Sequence, residues 1–133
     1  MSPDELATWE KRLQDPDRRG EAARVLAQEL RPRGGGEKLA VALEVLAIVT
    51  RDPGEEAQVL AELGRLRLSM RDPEQAALAL ARAVYLAPGD ASLLKGLRDS
   101  PDRALAADVL EDLRSDAPPA AVAAIEAELA ALR

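Results

Sequence analysis

The chain has 133 residues and a formal net charge of −6 at pH 7, and this length fits one domain that can bury a core of its own. It contains no cysteine and no histidine, which excludes disulfides, thiolate nucleophiles, imidazole general bases and the usual zinc ligand sets. The acidic balance disfavours nucleic acid and anionic membranes as partners, because both are bound chiefly by cationic side chains.

The N-terminal residues Met1 to Glu5 are polar and acidic, so we expect neither a secretory signal nor a mitochondrial presequence there. No apolar stretch reaches the roughly 20 residues that a membrane-spanning helix needs. We therefore expect a cytoplasmic protein. Abundant Ala and Arg, beside the absence of Phe, His and Asn, are typical of a GC-rich bacterial gene.

A helix-start signal, Asp or Ser followed by Pro, recurs along the chain. The side chain can cap free N–H groups, and proline supplies the φ angle of a first helical turn. The five pairs begin at Ser2, Asp15, Asp52, Asp72 and Ser100. Three of them have Glu or Gln at the spacing of a capping box, namely Glu5, Glu55 and Gln75.

Between these signals the apolar residues recur at helical spacing, and no segment shows the alternation of a strand. Aromatic residues are only 2% of the chain, so the core must consist of Leu, Val and Ala, which favours closely packed helices over a sheet. The sequence predicts an all-α fold of about eight helices, at 3–14, 19–31, 37–51, 54–70, 73–86, 90–98, 101–115 and 118–132.

The first predicted helix has Leu6, Trp9 and Leu13 on one side, which is the pattern of a helix that covers one end of a helical stack. Trp9 could be an exposed interface anchor. Its place in this apolar stripe favours a role in the core.

The segment Arg31-Pro32-Arg33-Gly34-Gly35-Gly36 cannot continue a helix. It has two interpretations. The three glycines could form an anion-binding nest in which Arg31, Arg33 and Lys38 converge. The segment could instead be a lengthened turn between helices, which we favour because no Gly-Lys-Ser/Thr ending follows.

Residues 57–90, AQVLAELGRLRLSMRDPEQAALALARAVYLAPGD, resemble a tetratricopeptide repeat. Leu60 stands where the family usually has Trp, and Arg67 stands where it commonly has Tyr. The positions that agree with the family pattern are Leu63-Gly64, Ala76, Leu80, Ala83 and Pro88. Small residues at 64, 76 and 83 would let two antiparallel helices cross closely, with leucines filling the space between ridges.

Weaker matches flank this repeat. Val41, Val45, Ile48 and Pro53 take second-helix positions upstream, and Ala106, Leu110, Leu113 and Pro118 do so downstream. We therefore expect a single domain, 1–133, built as a short right-handed superhelix of antiparallel helix pairs. Its parts would be an N-terminal capping helix in 1–18, a degenerate repeat in 19–53, the best-matched repeat in 57–90, a degenerate repeat in 91–118 and a C-terminal capping helix in 118–133.

The resemblance implies a concave face on which first helices bind a peptide or helix of a partner protein. The implied partner-binding residues are Gln58, Ala61, Arg65, Leu68 and Ser69 on one helix, with Ser92, Lys95 and Asp99 on the next. Arg65, Lys95 and Arg67 could form a cationic patch for an acidic segment or a C-terminal carboxylate. They could equally be solvated surface charges. The chain has no asparagine, so it lacks the usual carboxylate clamp of co-chaperone repeats, and we do not expect binding of heat-shock chaperones.

The last predicted helix carries Val122, Ile125, Leu129 and Leu132 at the spacing of a coiled-coil seam. The stripe could pack on the preceding repeat, which we favour, or it could mediate self-association. Tyr85 could be a stacking or modification site, but we expect its ring to pack and its hydroxyl to face water.

No arrangement of carboxylates, lysines or hydroxyls suggests catalysis, so we expect a non-enzymatic binding module without catalytic residues, metal or cofactor. The expected partner is a protein or peptide, with no nucleic acid and no membrane. The alternative function is a self-associating structural or regulatory protein that uses the C-terminal helix. We expect a monomer or a weak homodimer.

Overall fold

In the computed structural model, which describes residues 1–132, helices follow one another along the described part of the chain. Over this range there are eight α-helices and no strand, which confirms the predicted all-α class and helix number. The helices are α1 Pro3–Arg12, α2 Arg19–Leu30, α3 Glu37–Val49, α4 Pro53–Ser69, α5 Pro73–Leu86, α6 Ala91–Arg98, α7 Arg103–Asp116 and α8 Pro119–Leu132, with a 3₁₀ turn at Arg31–Arg33 after α2. Arg133, the last residue of the predicted C-terminal cap, lies outside the described residues.

Three of the predicted helix starts are confirmed in atomic detail. The Oγ atom of Ser2 accepts a hydrogen bond from the Glu5 amide at 3.2 Å. Asp52 accepts one from the Glu55 amide at 2.9 Å. Asp72 does the same for the Gln75 amide at 3.3 Å. Among the five Asp-Pro and Ser-Pro pairs, these are the three with Glu or Gln at capping-box spacing.

The predicted starts at Asp15 and Ser100 are wrong. Asp15 accepts a hydrogen bond from the Asp17 amide at 3.0 Å and so closes a turn before α2, which begins at Arg19 without a side-chain cap. Asp102 caps α7 by accepting from the Leu105 amide at 2.9 Å. Ser100 therefore lies two residues before this cap, in the α6–α7 turn.

Helices α4 and α5 share the most extensive contact between helices, and Gly64 lies where they cross. A Cβ atom on Gly64 would lie 2.8 Å from Cγ of Leu80 and 3.3 Å from the carbonyl oxygen of Ala76. Gly64, Ala76 and Ala83 are all buried. Gly64 and Ala76 therefore meet at this crossing, as the sequence predicted.

The core extends from α2 to α8 and consists almost entirely of Leu and Ala side chains. Ion pairs add links between helices at the surface. Arg31, after α2, contacts Glu62 of α4 through two bonds of 2.7 and 2.9 Å, and this contact raises the pKa of Arg31 above its ordinary value. Arg98 of α6 contacts Glu128 of α8 at 2.8 Å.

The predicted inward face of α3 is wrong. Val41 and Ile48, assigned to second-helix core positions, are 41% and 61% exposed. Ala40, Leu43 and Ala47 are buried instead. Nearly every side of α3 carries apolar residues, so the spacing of hydrophobic residues could not determine which side faces the core.

Helix α1 is attached more lightly than the others, because none of its residues is fully buried. Leu6, Trp9 and Leu13 pack against the core from its edge, as predicted for Trp9. The guanidinium of Arg12 lies 4.3 Å from the centre of the Trp9 ring. Lys38 of α3 contacts Glu10 of α1 at 3.0 Å and links the two helices.

Candidate partner-binding groove

A groove of about 310 Å³ lies between α4 and α6, the two helices from which the sequence predicted a binding surface. We define the groove by its lining residues. These are Ala61, Arg65 and Leu68 from α4, Leu80 from α5, and Ser92, Leu93, Lys95, Gly96 and Asp99 from α6 and its C-terminal end. Six of the predicted positions, namely 61, 65, 68, 92, 95 and 99, are therefore brought together.

The floor of the groove is apolar. Leu80 and Leu93 are almost fully buried and Ala61 is completely so, while Leu68 is half-buried. Leu80, Leu93 and Gly96 were not predicted as lining residues, because Leu80 matches a core position of the repeat. Gly96 has no side chain, and a Cβ atom at this position would lie 3.8 Å from Cδ2 of Leu80. A glycine inside the short helix α6 was the available signal.

The rim of the groove is cationic. Arg65 and Lys95 are exposed, and neither side chain makes an ion pair or hydrogen bond with any of residues 1–132. Asp99 is the carboxylate on the rim, and it already contacts the Arg98 guanidinium at 3.2 Å. Two cations from different helices therefore face the same opening on a chain whose net charge is −6.

Two predicted binding residues do not line the groove. The side chain of Gln58 lies at its edge, 3.5 Å from the carboxylate of Asp90 that caps α6. The hydroxyl of Ser69 donates to the carbonyl of Leu66 at 2.6 Å and is thereby occupied by its own helix.

Arg67, expected to join the cationic patch, lies on another side of α4. Its guanidinium contacts Glu37 of α3 at 2.8 Å. Residues two positions apart on a helix point in nearly opposite directions, so Arg65 and Arg67 cannot share one face. The cationic rim therefore consists of Arg65 and Lys95 only.

The glycine-rich segment forms a turn in which the nearby basic residues diverge. Gly34, Gly35 and Gly36 have φ angles of 86°, 84° and 80°, values that only glycine adopts readily. Arg31 contacts Glu62, Arg33 contacts Glu29 and Lys38 contacts Glu10. Because each cation is held by a different carboxylate, the lengthened turn describes this segment better than an anion-binding nest.

The seam proposed for the C-terminal helix is largely inside the molecule. Ile125 and Leu129 are 0% and 2% exposed, and α8 packs on α7 and α6. Val122 and Leu132 are half-buried. The two central residues of the stripe are therefore used for packing within the chain.

The hydroxyl of Tyr85 is hydrogen-bonded to another helix, whereas we expected it to face water. It donates a hydrogen bond of 2.6 Å to the carboxylate of Asp112 on α7. This bond, with burial and the charges of Asp112 and Asp116, raises the pKa of Tyr85 to about 12. The ring itself remains about half exposed.

Within residues 1–132, no group of three or more acidic side chains is placed to hold a metal ion. None of the helices described is both long enough and apolar enough to cross a membrane. Comparison of the chain with protein-family models, with curated proteins and with solved structures gave no match.

Proposed function

We propose that this protein is a non-catalytic binding module, a short tetratricopeptide-like stack of helix pairs that holds an acidic segment of a partner protein in the groove between α4 and α6. The observation that carries the proposal is the pair of cations on the rim. Arg65 and Lys95 come from different helices, face one opening and have no carboxylate partner among residues 1–132.

The shape of the groove supports a peptide as its occupant. Its volume of about 310 Å³ is at the lower end of the range for ligand sites, roughly 300–1,000 Å³. A peptide could place one apolar side chain on Leu68, Leu80 and Leu93 while its carboxylates meet the cations above. Apolar contact would supply affinity, and the charges would select an acidic sequence.

The packing of α4 against α5 supports the tetratricopeptide-like architecture. Leu60 and Leu63 are buried together with Gly64 and Ala83, in the pattern of that repeat. Val41 and Ile48 of α3 face outward, so the segment 19–53 resembles the repeat less closely than residues 57–90 do. The assignment therefore depends chiefly on residues 57–90.

The test is capture of partners from a bacterial lysate, with mass spectrometry to identify them, followed by titration of the identified segment as a peptide. The double variant Arg65→Glu/Lys95→Glu should lose the partner, and the affinity for the peptide should fall by at least about tenfold. Binding by the unaltered protein should also weaken as salt is raised, because exposed charges are screened.

Arg24→Glu/Arg51→Glu is the matched control. Both arginines are exposed, neither makes an ion pair within residues 1–132, and both line a different depression of the surface. The control changes the net charge by the same amount and should keep the partner. Equal loss in both double variants, or retention in both, would show that the groove is not the binding site.

A further inference from the structure

The exposed large apolar residues are not scattered over the surface. Apart from Met1, those of residues 1–132 are Val41, Ile48, Leu78 and Tyr85, with exposures of 41%, 61%, 49% and 48%. Two lie on α3 and two on α5. In each helix they are seven residues apart, which is two turns, so each pair shares one face. We call these four residues the outer patch.

The two halves of the outer patch are adjacent. Helices α3, α4 and α5 are joined by the short links 50–52 and 70–72, so each is antiparallel to the next. Helices α3 and α5 therefore run in the same direction. Glu44 of α3 lies 3.9 Å from Arg82 of α5, which brings the middle turns of the two helices side by side. Val41 and Leu78 each lie about one turn before this ion pair, and Ile48 and Tyr85 each lie about one turn after it.

The charges at the centre of the outer patch are loosely paired. The side chains of Glu44 and Arg82 are 38% and 50% exposed, and their closest atoms are 3.9 Å apart, beyond hydrogen-bond distance. Such a pair contributes little to the stability of one chain. Both groups remain accessible to a second partner from outside.

We infer that the outer patch is an interface between two copies of this chain. The patch is complementary to itself about a two-fold axis parallel to α3 and α5 and midway between them. This rotation places α3 of one copy on α5 of the other, with Glu44 opposite Arg82, Val41 opposite Leu78 and Ile48 opposite Tyr85. A two-fold axis across the helices would instead place Glu44 opposite Glu44.

The small area of the outer patch predicts a weak association. Two helices about 20 Å long and about 10 Å apart offer roughly 400 Å² per copy. The total of about 800 Å² is below the 1,200–2,000 Å² of a standard stable interface. The dimer should therefore be weak, with a dissociation constant of about 10 µM to 1 mM. It would leave the groove between α4 and α6 accessible, since the two surfaces share no residue.

The experiment is sedimentation velocity of the full chain and its variants at concentrations up to about 1 mM. Glu44→Arg and Arg82→Glu should each weaken self-association at least about tenfold, because each puts like charges opposite one another across the interface. An equimolar mixture of the two should associate again, because each variant then meets the opposite charge. Circular dichroism should show the same helix content in both.

Two controls separate this interface from other surfaces, and a third variant tests its apolar part. Glu126→Arg on the exposed side of α8 matches the charge change of Glu44→Arg and should leave association unchanged. Arg65→Glu/Lys95→Glu should also leave it unchanged, so the failure of this inference and of the proposed groove can be told apart. Ile48→Ala should weaken association about tenfold, since the methyl groups it removes would be buried only in the dimer.

Several outcomes would overturn the inference. One is an unaltered chain that stays monomeric at about 1 mM. Another is a mixture that associates no better than either single variant. Association abolished by Glu126→Arg and unaffected by Glu44→Arg would place the interface on α8 instead.

Discussion

The side chain of Leu80 occupies the space that a Cβ atom on Gly64 would need. The two would be 2.8 Å apart, and the nearest backbone atom, the carbonyl oxygen of Ala76, would be at 3.3 Å. Helix α4 therefore lies too close to α5 at position 64 for a side chain to fit there without a shift of Leu80. The same contact holds Leu80 in place as the floor of the groove, so the core and the candidate site depend on one glycine.

Gly64→Ala should lower the free energy of unfolding. Overpacking of a close contact costs about 1–3 kcal/mol, and the better helix propensity of alanine returns up to about 1 kcal/mol, so we expect a net loss of about 1–2 kcal/mol in urea unfolding. Gly96→Ala is the control. Its added Cβ would meet Leu80 at an ordinary 3.8 Å, so it should stabilise the chain by about 0.5–1 kcal/mol. Equal effects of the two changes would contradict the close crossing.

Tyr85 is the only tyrosine in the chain, so its ionisation can be followed directly by absorbance near 295 nm. Hydrogen bonding to Asp112 raises its pKa to about 12, and Asp112→Ala should return the pKa toward the ordinary value of about 10. Because the folded pKa is the higher one, the stabilising effect of this bond is complete below pH of about 10 and is lost as pH rises through about 12.

A second carboxylate provides the comparison for this titration. Glu74→Ala removes an exposed acidic group from the first turn of α5, and it should leave the titration of Tyr85 unchanged. A midpoint near 10 in the unaltered folded chain, or one that Asp112→Ala does not move, would show that the hydrogen bond is absent.

Ser100 is 3% exposed, and its hydroxyl has no hydrogen-bond partner within the described residues. An unsatisfied buried hydroxyl costs about 1–3 kcal/mol, so Ser100→Ala should stabilise the chain by about 1 kcal/mol. Ser92→Ala, at an exposed serine, should change stability by less than about 0.5 kcal/mol. Urea unfolding measures both. Destabilisation by Ser100→Ala would mean that the hydroxyl makes a stabilising hydrogen bond.

Local signals in the sequence were sufficient for the helices and for most of their ends. The capping boxes at Ser2, Asp52 and Asp72 predicted true starts because a cap involves only neighbours along the chain. The pairs at Asp15 and Ser100 carry no Glu or Gln three residues on, and both predictions were wrong. The groove residues were implied by the resemblance of residues 57–90 to a tetratricopeptide repeat, and those on α4 that line it, Ala61, Arg65 and Leu68, lie at spacings of three and four and so share one side of the helix.

The sequence by itself determined the all-α class, the number of helices and the small residues that let α4 and α5 cross. These follow from helix propensity, capping and helical periodicity, all of which act over a few residues. Tertiary structure alone decided which side of α3 faces outward, because an almost uniformly apolar helix satisfies several orientations equally well. It also decided that Arg67 pairs with Glu37 and Tyr85 with Asp112, since contacts between residues about 30 apart depend on how neighbouring helices are rotated about their axes.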